Sequence, residues 1–214
     1  MKLIQINYNS EIEISNSAEK ISQLLDQAEK HFIKETSWRN KNYIGNCEFA
    51  VLYGKDAIAI KYYVTEDEIK AVYNQPNDPV YLDSCVEFFV SLDQDSYYNF
   101  EFNCNGTCLS QVGKNKQNRS FLPLFVIDSI KTTKSIKYID IKDVHLINWE
   151  LTVVIPFSAF INHQLDHLDG KELRMNFYKC GDELPQPHYL CWNKVETIEP
   201  NFHVPEFFGI GKFI

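Results

Sequence analysis

Two glutamates stand inside apolar runs of the chain, Glu87 in CVEFFVSL (85–92) and Glu101 in YNFEFNCN (98–105). Glutamate is a poor strand former and costly to bury without a partner. The runs flank the polar turn DQDS, so they read as a hairpin. Strand side chains alternate between faces. The first run then puts Val86, Phe88 and Val90 on one face and Cys85, Glu87, Phe89 and Ser91 on the other. The second separates Tyr98, Phe100, Phe102 and Cys104 from Asn99, Glu101, Asn103 and Asn105. Both carboxylates fall on the face away from the core, as near cross-strand neighbours, where like charges repel.

The run LRMNFYKC (173–180) offers compensating groups. Leu173, Met175 and Phe177 would face the core, and Arg174, Asn176 and Tyr178 would face out. In one sheet, these strands gather Glu87, Glu101, Asn103, Arg174, Asn176 and Tyr178 on a single face. Carboxylates, amides, a guanidinium and a ring are the groups that hydrogen-bond and stack on sugars. The same set also makes a surface salt-bridge network with no ligand, and the pattern alone leaves both open. A third reading is a glycoside hydrolase using Glu87 and Glu101, since retaining enzymes hold their carboxyls about 5–5.5 Å apart. Such an enzyme also needs one carboxyl kept protonated in a deep cleft, and no motif here announces one.

The elements that would position these residues are mostly strands. CEFAVLYG (47–54) and AIAIKYYV (57–64) form a hairpin across KD, and further strands are expected at 69–74, 107–113, 136–142, 148–156, 188–192 and 208–214. Many short strands with hairpin-scale turns predict an all-β fold, an antiparallel β-sandwich. NSAEKISQLLDQAEKHFIKE carries a helical stripe at Ile21, Leu24, Leu25, Ala28 and Phe32, with Asn16 and Glu19 as a capping box. This predicts a helical extension over about 16–36 and a sandwich over about 45–214 of one domain. FSAFINHQLDHL (157–168) reads as a second, short helix. On it, His163 and His167 stand four apart beside Asp166 and Asp169, a spacing that can share a metal, but without the intervening glutamate of a metalloprotease.

Composition narrows the function. The chain has 214 residues, a net charge of −8 and 44% hydrophobic residues. That balance supports a core and argues against nucleic acid, whose binders cluster basic residues. The nearest basic stretch, GKNKQNR (113–119), reads as a solvated loop. FLPLFVI (121–127) falls far short of the about 20 residues of a membrane helix. The N-terminus shows no leader-like pattern, so the expected location is the cytoplasm. The six cysteines read as reduced, apolar residues of strands, with Cys104 and Cys108 facing each other across the turn NGT. Trp149 and Trp192 read as core residues. A haem reading would want an axial Met or His, and methionine is nearly absent, with only Met1 and Met175.

The order of blocks VYLDSCVEFFV…YYNFEFNCNGT, FYKCGD…HYLCW and EPNFHVPEFFGIGKF resembles the family 9 carbohydrate-binding modules, closest to a bacterial subgroup of free-standing domains. The likeness runs from about residue 45 to the end. It implies a jelly-roll-like β-sandwich that binds a mono- or oligosaccharide without catalysis, alongside a partner glycosidase in glycan degradation. Two aromatic rings clamp the sugar in that family, and they correspond to Tyr81 and Phe202. The family's ligand glutamate corresponds to Glu87, and His203 lies beside the clamp. Two departures stand out. The clamp rings are tyrosine and phenylalanine rather than tryptophan, and a family arginine position is occupied by Glu101. The family often holds structural calcium, to which Asp93 and Asp95 in LDQDS could give oxygen donors, but a plain turn is the favoured reading and no cofactor is expected. The contrasting reading is a protein-interaction sandwich that has lost its sugar.

Overall fold

Alternation in the strands builds the molecule outward from paired apolar faces. The structure, a computed structural model, describes residues 1–38, 45–141 and 144–214. In chain order the strands are β1 (Leu3–Tyr8), β2 (Lys30–Phe32), β3 (Gly45–Tyr53), β4 (Ala57–Glu66), β5 (Cys85–Ser91), β6 (Tyr97–Asn103) and β7 (Cys108–Gly113). They continue with β8 (Arg119–Phe121), β9 (Lys131–Ile141), β10 (Val144–Pro156), β11 (Glu172–Cys180), β12 (Tyr189–Cys191) and β13 (Gly209–Phe213). Two helices, α1 (Ala18–Leu25) and α2 (Leu124–Ser129), complete the regular elements with three short 3₁₀ turns at Val80–Leu82, Phe157–Ala159 and Pro205–Phe207.

The strands run β8-β7-β6-β5-β11-β13-β1-β3-β4-β10-β9, with β12 on β11 and β2 on β3. The sheet is mixed, which corrects the all-antiparallel expectation. β1 lies parallel to β13 through residues Leu3 to Ile6, and parallel to β3 through Asn7 and Tyr8. It is the seam at which the sheet curls so that its two halves face each other. Their shared core holds Val86, Phe88, Phe100 and Phe177 from one half and Phe49, Ile60, Trp149 and Val153 from the other. At its centre Phe49 stacks on Phe177 with ring centroids 3.7 Å apart.

The seam strand was missed in the sequence reading, which began the sandwich at about residue 45. Its alternation is only LIQINY, with Ile4 and Ile6 buried, and short runs carry little signal. The helical extension is also shorter than the expected 16–36. Ser17, not Asn16, caps α1 by accepting from the Lys20 amide, and the helix ends at Asp26. An acidic residue opposes the helix dipole there. Lys61 Nζ at 2.6 Å and Tyr63 Oη at 2.8 Å hold Asp26 instead. Lys30–Phe32 then leave the helical pattern to pair with β3. The run at 69–74 is irregular backbone rather than a strand, strapped down by Ser84 Oγ to the Lys70 amide and by Asp83 to the Tyr73 amide.

The expected helix over 157–168 reduces to the 3₁₀ turn after Pro156. His163 and His167 therefore do not share a helical face. His163 bonds the Tyr98 hydroxyl at 2.9 Å and Asp93 at 2.7 Å. Asp93 also accepts from the Asp95 and Ser96 amides, so its carboxylate closes the LDQDS turn. All six cysteines are free and buried, and Trp149 and Trp192 are in the core. No helix among the described residues is long and apolar enough to cross a membrane.

Candidate functional site

Most of the outer face of the β6–β5–β11 half is shielded from solvent, with Arg174 at the start of β11 exposed. Loops before β5 and after β12 fold over it and make a second apolar cluster, including Val80, Phe89, Tyr97, Tyr178, Phe202 and Phe208. Polar side chains of the sheet anchor this cover. Asn103 donates to the Tyr73 carbonyl at 2.8 Å and to Asp83 at 3.0 Å. Asn176 donates to the Asn193 carbonyl and accepts from the Asn193 amide, both at 2.8 Å. Tyr178 stacks on Phe202 with centroids 4.1 Å apart and donates to its carbonyl. Arg174 donates to the Pro205 carbonyl at 2.6 Å.

Between cover and sheet lies a cavity of about 480 Å³. Tyr81, Glu87, Glu101, Phe202 and His203 line it, so these expected site residues converge on one space. Asn103, Arg174, Asn176 and Tyr178 do not line it; the first, third and fourth are buried under the cover, and Arg174 reaches the 205 loop. The alternation pattern placed them on the correct face, but it contained nothing about the loops that close over that face.

Local sequence explains how the rim is held. In QPND, Asn77 adopts a positive φ of 66°, a conformation asparagine tolerates, and Asp78 accepts from the Gln75 amide at 2.9 Å. The turn aims the following 3₁₀ residue Tyr81 at the cavity. The Tyr81 carbonyl in turn accepts from the Asp182 amide at 3.1 Å, tying the GDE segment to the same rim. Beside it, Gly181 leaves room for Leu184, whose Cδ1 would stand 2.2 Å from a Cβ there.

Glu87 and Glu101 are direct cross-strand partners, at 2% and 4% exposure. Desolvation is the main cause that pushes both carboxyls up, Glu101 to about 7 and Glu87 well above the usual range. For Glu101, the Asn99 amide at 2.8 Å and the Arg119 charge pull the other way. Asp182 on the same wall is raised by burial to about 6. His203 accepts or donates at 3.0 Å to the Tyr97 hydroxyl, and burial lowers it to about 3, so its ring is neutral. The site thus offers neutral or half-neutral acids, a neutral imidazole and two aromatic rings, a donor and acceptor set suited to uncharged hydroxyls.

The model of the family described as "Carbohydrate-binding family 9" matches residues 19–213. The chain belongs to carbohydrate-binding family 9. Among solved structures, a candidate carbohydrate-binding protein from Bacteroides uniformis is similar over 100% of this chain and 99% of its own, with 34% identity and a TM-score of 0.91. Two structures of a family 9 module from Caldicellulosiruptor kristjanssonii share the fold. The complex with glucose has a TM-score of 0.62 and 12% identity over 100% of this chain and 96% of its own. The complex with cellotriose has a TM-score of 0.60 and 13% identity over 99% and 93%. Comparison with curated proteins finds no match.

The cavity of this family 9 chain also has walls that the sequence reading did not include. Cys180 follows Arg174, Asn176 and Tyr178 on the same alternating face, and Leu109 and Gln111 do the same on β7, so periodicity contained them. Asp182, Asn201 and Lys116 come from loops, where no period exists. Lys116 lies in the GKNKQNR segment that reads in sequence as a solvated loop; it brings a cation to a wall otherwise rich in carboxyls. Phe121, 56% exposed, adds an outer ring to the rim.

Proposed function

We propose that the cavity binds a carbohydrate without transforming it. The observation that carries this reading is the convergence of Tyr81, Phe202, Glu87, Glu101 and His203 on one cavity of about 480 Å³, a volume suited to one or two sugar rings. Membership of family 9, and the glucose and cellotriose held by its structural relatives, support it. Tyr81, 38% exposed, presents a face to a sugar ring from the rim. Phe202 is backed by Tyr178 and presents its ring edge or remaining face from the cover. Glu87, Glu101, Asp182, His203 and Asn201 take the hydroxyls. The curled sheet acts as the jelly-roll-like β-sandwich of the sequence reading. Its role is to hold glycan fragments for a partner glycosidase.

A hydrolase reading is favoured by the cross-strand contact of two carboxyls. It is opposed by membership of carbohydrate-binding family 9, two of whose structures hold glucose and cellotriose. Isothermal titration of glucose, cellotriose and a panel of neutral and acidic saccharides tests the proposal. Saturable binding, weakened at least about tenfold by Tyr81→Ala and without release of reducing ends, is the expected result; one lost ring contact supports that size. No binding by any saccharide would overturn it and favour the interaction sandwich. Turnover lost in Glu101→Gln would favour the hydrolase.

A further inference from the structure

At the foot of the cavity three metal-ligating side chains meet. Cys85 and Glu87 stand two apart on β5 and so share a face, and Cys180 of β11 is the direct cross-strand partner of Cys85. The two sulphurs and a carboxylate oxygen lie within 4.8 Å of one another, and all three residues are buried. They hydrogen-bond one another, Cys180 to both Cys85 and Glu87. Cys180 Sγ is 3.1 Å from Glu87 Oε1 and 3.7 Å from the Tyr81 carbonyl, and Cys85 Sγ is 3.8 Å from the Val86 carbonyl. Glu87 and Cys180 also form cavity wall, so the side of the cluster away from Cys85 opens to that space.

We propose that Cys85, Glu87 and Cys180 form a site for a thiophilic divalent cation, best matched by Zn²⁺, with its fourth position facing the cavity. The donor set decides the ion. Two sulphurs and one oxygen are too soft and too few for Ca²⁺ or Mg²⁺, which take six or more oxygens or keep their waters. Zn–S bonds of about 2.3 Å and Zn–O bonds of about 2.0–2.2 Å place tetrahedral donors roughly 3.5–3.8 Å apart. To hold the ion, the Cys180–Glu87 pair, now 3.1 Å apart, widens by a few tenths of an ångström and the other separations, within 4.8 Å, close by up to roughly 1.3 Å, which rotation of the three side chains supplies. Three protein ligands with one open position is the coordination of a zinc ion that also meets a small molecule. On binding, each thiol gives its proton to solvent and Glu87 gives up any it carries, so uptake weakens as pH falls. The ion would also neutralise the charge that burial makes costly on this wall. The site rests on the three donors and does not require the carbohydrate reading.

Co²⁺ titrated into metal-free protein under reducing conditions tests the site. The expected result is one Co²⁺ per chain with a thiolate-to-cobalt charge-transfer band, bleached when Zn²⁺ displaces it. Cys85→Ser and Cys180→Ser each diminish the band and lower Zn²⁺ affinity by more than the about 10–100-fold typical of outer-shell changes. Cys191→Ser, at a buried cysteine outside the cluster, keeps it. Circular dichroism of the metal-free variants reports whether they fold. Should the serine variants unfold, Glu87→Gln keeps both sulphurs and is expected to retain the band with weakened Zn²⁺ affinity. No charge-transfer band in the unaltered protein overturns the site, as does a band of undiminished intensity in folded Cys180→Ser or an affinity unmoved by Glu87→Gln. Saccharide titration with and without Zn²⁺ is read separately, so failure of the metal site leaves the sugar reading standing, and the reverse.

Discussion

The two faces of the β6–β5–β11 half are both buried, by different means. The inner face is largely apolar, with Val86, Phe88, Phe100, Met175 and Phe177 packed against β3 and β10, and its one charge, Lys179, is buried in an ion pair with Glu66 at 2.9 Å. The outer face mixes Phe89 and Tyr178 with Asn99, Glu101, Asn103 and Asn176, and loops rather than a second sheet cover it. One face is closed mainly by apolar packing. The other is closed by hydrogen bonds from the sheet to the backbone of its cover, and it retains a cavity. Buried polar groups cost free energy unless paired, so a face that keeps so many of them is constrained by something beyond packing. For Asn103 and Asn176 that constraint is the loop cover they hydrogen-bond.

Loss of shape should cost most. Phe177→Ala removes the ring stacked on Phe49 and Phe88 and is expected to destabilise the fold by about 3–5 kcal/mol, read by denaturant unfolding. On the outer face, Asn103→Ala leaves Asp83 and two loop amides without their partner and should cost about 1–3 kcal/mol. A cost near zero would dissolve the contrast between the faces, because the cover would then not depend on the sheet's polar side chains.

The outer face should also be the one that titrates. Folding raises Glu101 from 4.5 to about 7, so between those values the folded chain holds a proton that the unfolded chain has released. Stability from this group is greatest below pH 4.5 and falls as pH rises through 7, by up to about 1.4 kcal/mol per pH unit. Glu101→Gln should flatten that slope in melting curves across the window, while Phe177→Ala should leave it unchanged. The smallest effect is expected at Lys116→Ala. Its side chain lies on a loop of the rim, so stability should move by less than about 0.5 kcal/mol. Affinity for acidic over neutral saccharides should fall, because the wall's cation is gone.

The contrast between faces also explains what could be read from the amino acids. The inner face follows a period of two, and Val86, Phe88, Val90, Tyr98, Phe100, Phe102, Leu173, Met175 and Phe177 all lie in the shared core as the alternation indicates. The cross-strand contact of Glu87 with Glu101 was legible in the same way. What covers them was not. The loops that bring Asp182, Asn201 and Lys116 to the cavity have no period, and their positions depend on contacts such as that between Tyr81 and Asp182, 101 residues apart on subtraction of their numbers. Buried Asn103 and Asn176 look like ligand groups in a pattern and like anchors in space. Helix α1 stops early because Lys30–Phe32 find a partner in β3, a tertiary contact that overrides the local stripe.

The seam strand β1 makes the sheet a problem of timing. Its first half pairs with residues 210–213 and its second half with residues 52 and 53. β1 thus waits for β13, which follows it by the whole of the intervening sheet, before its edge is satisfied. Until then Ile4 and Ile6 have nothing to bury against on that side, and the β3 half has an open edge where β1 and β13 will close it. Sheets closed by strands far apart in sequence fold slowly. Closure of this sheet, and with it the bringing together of the half that carries the cavity and the half that supports it, is expected to await β13.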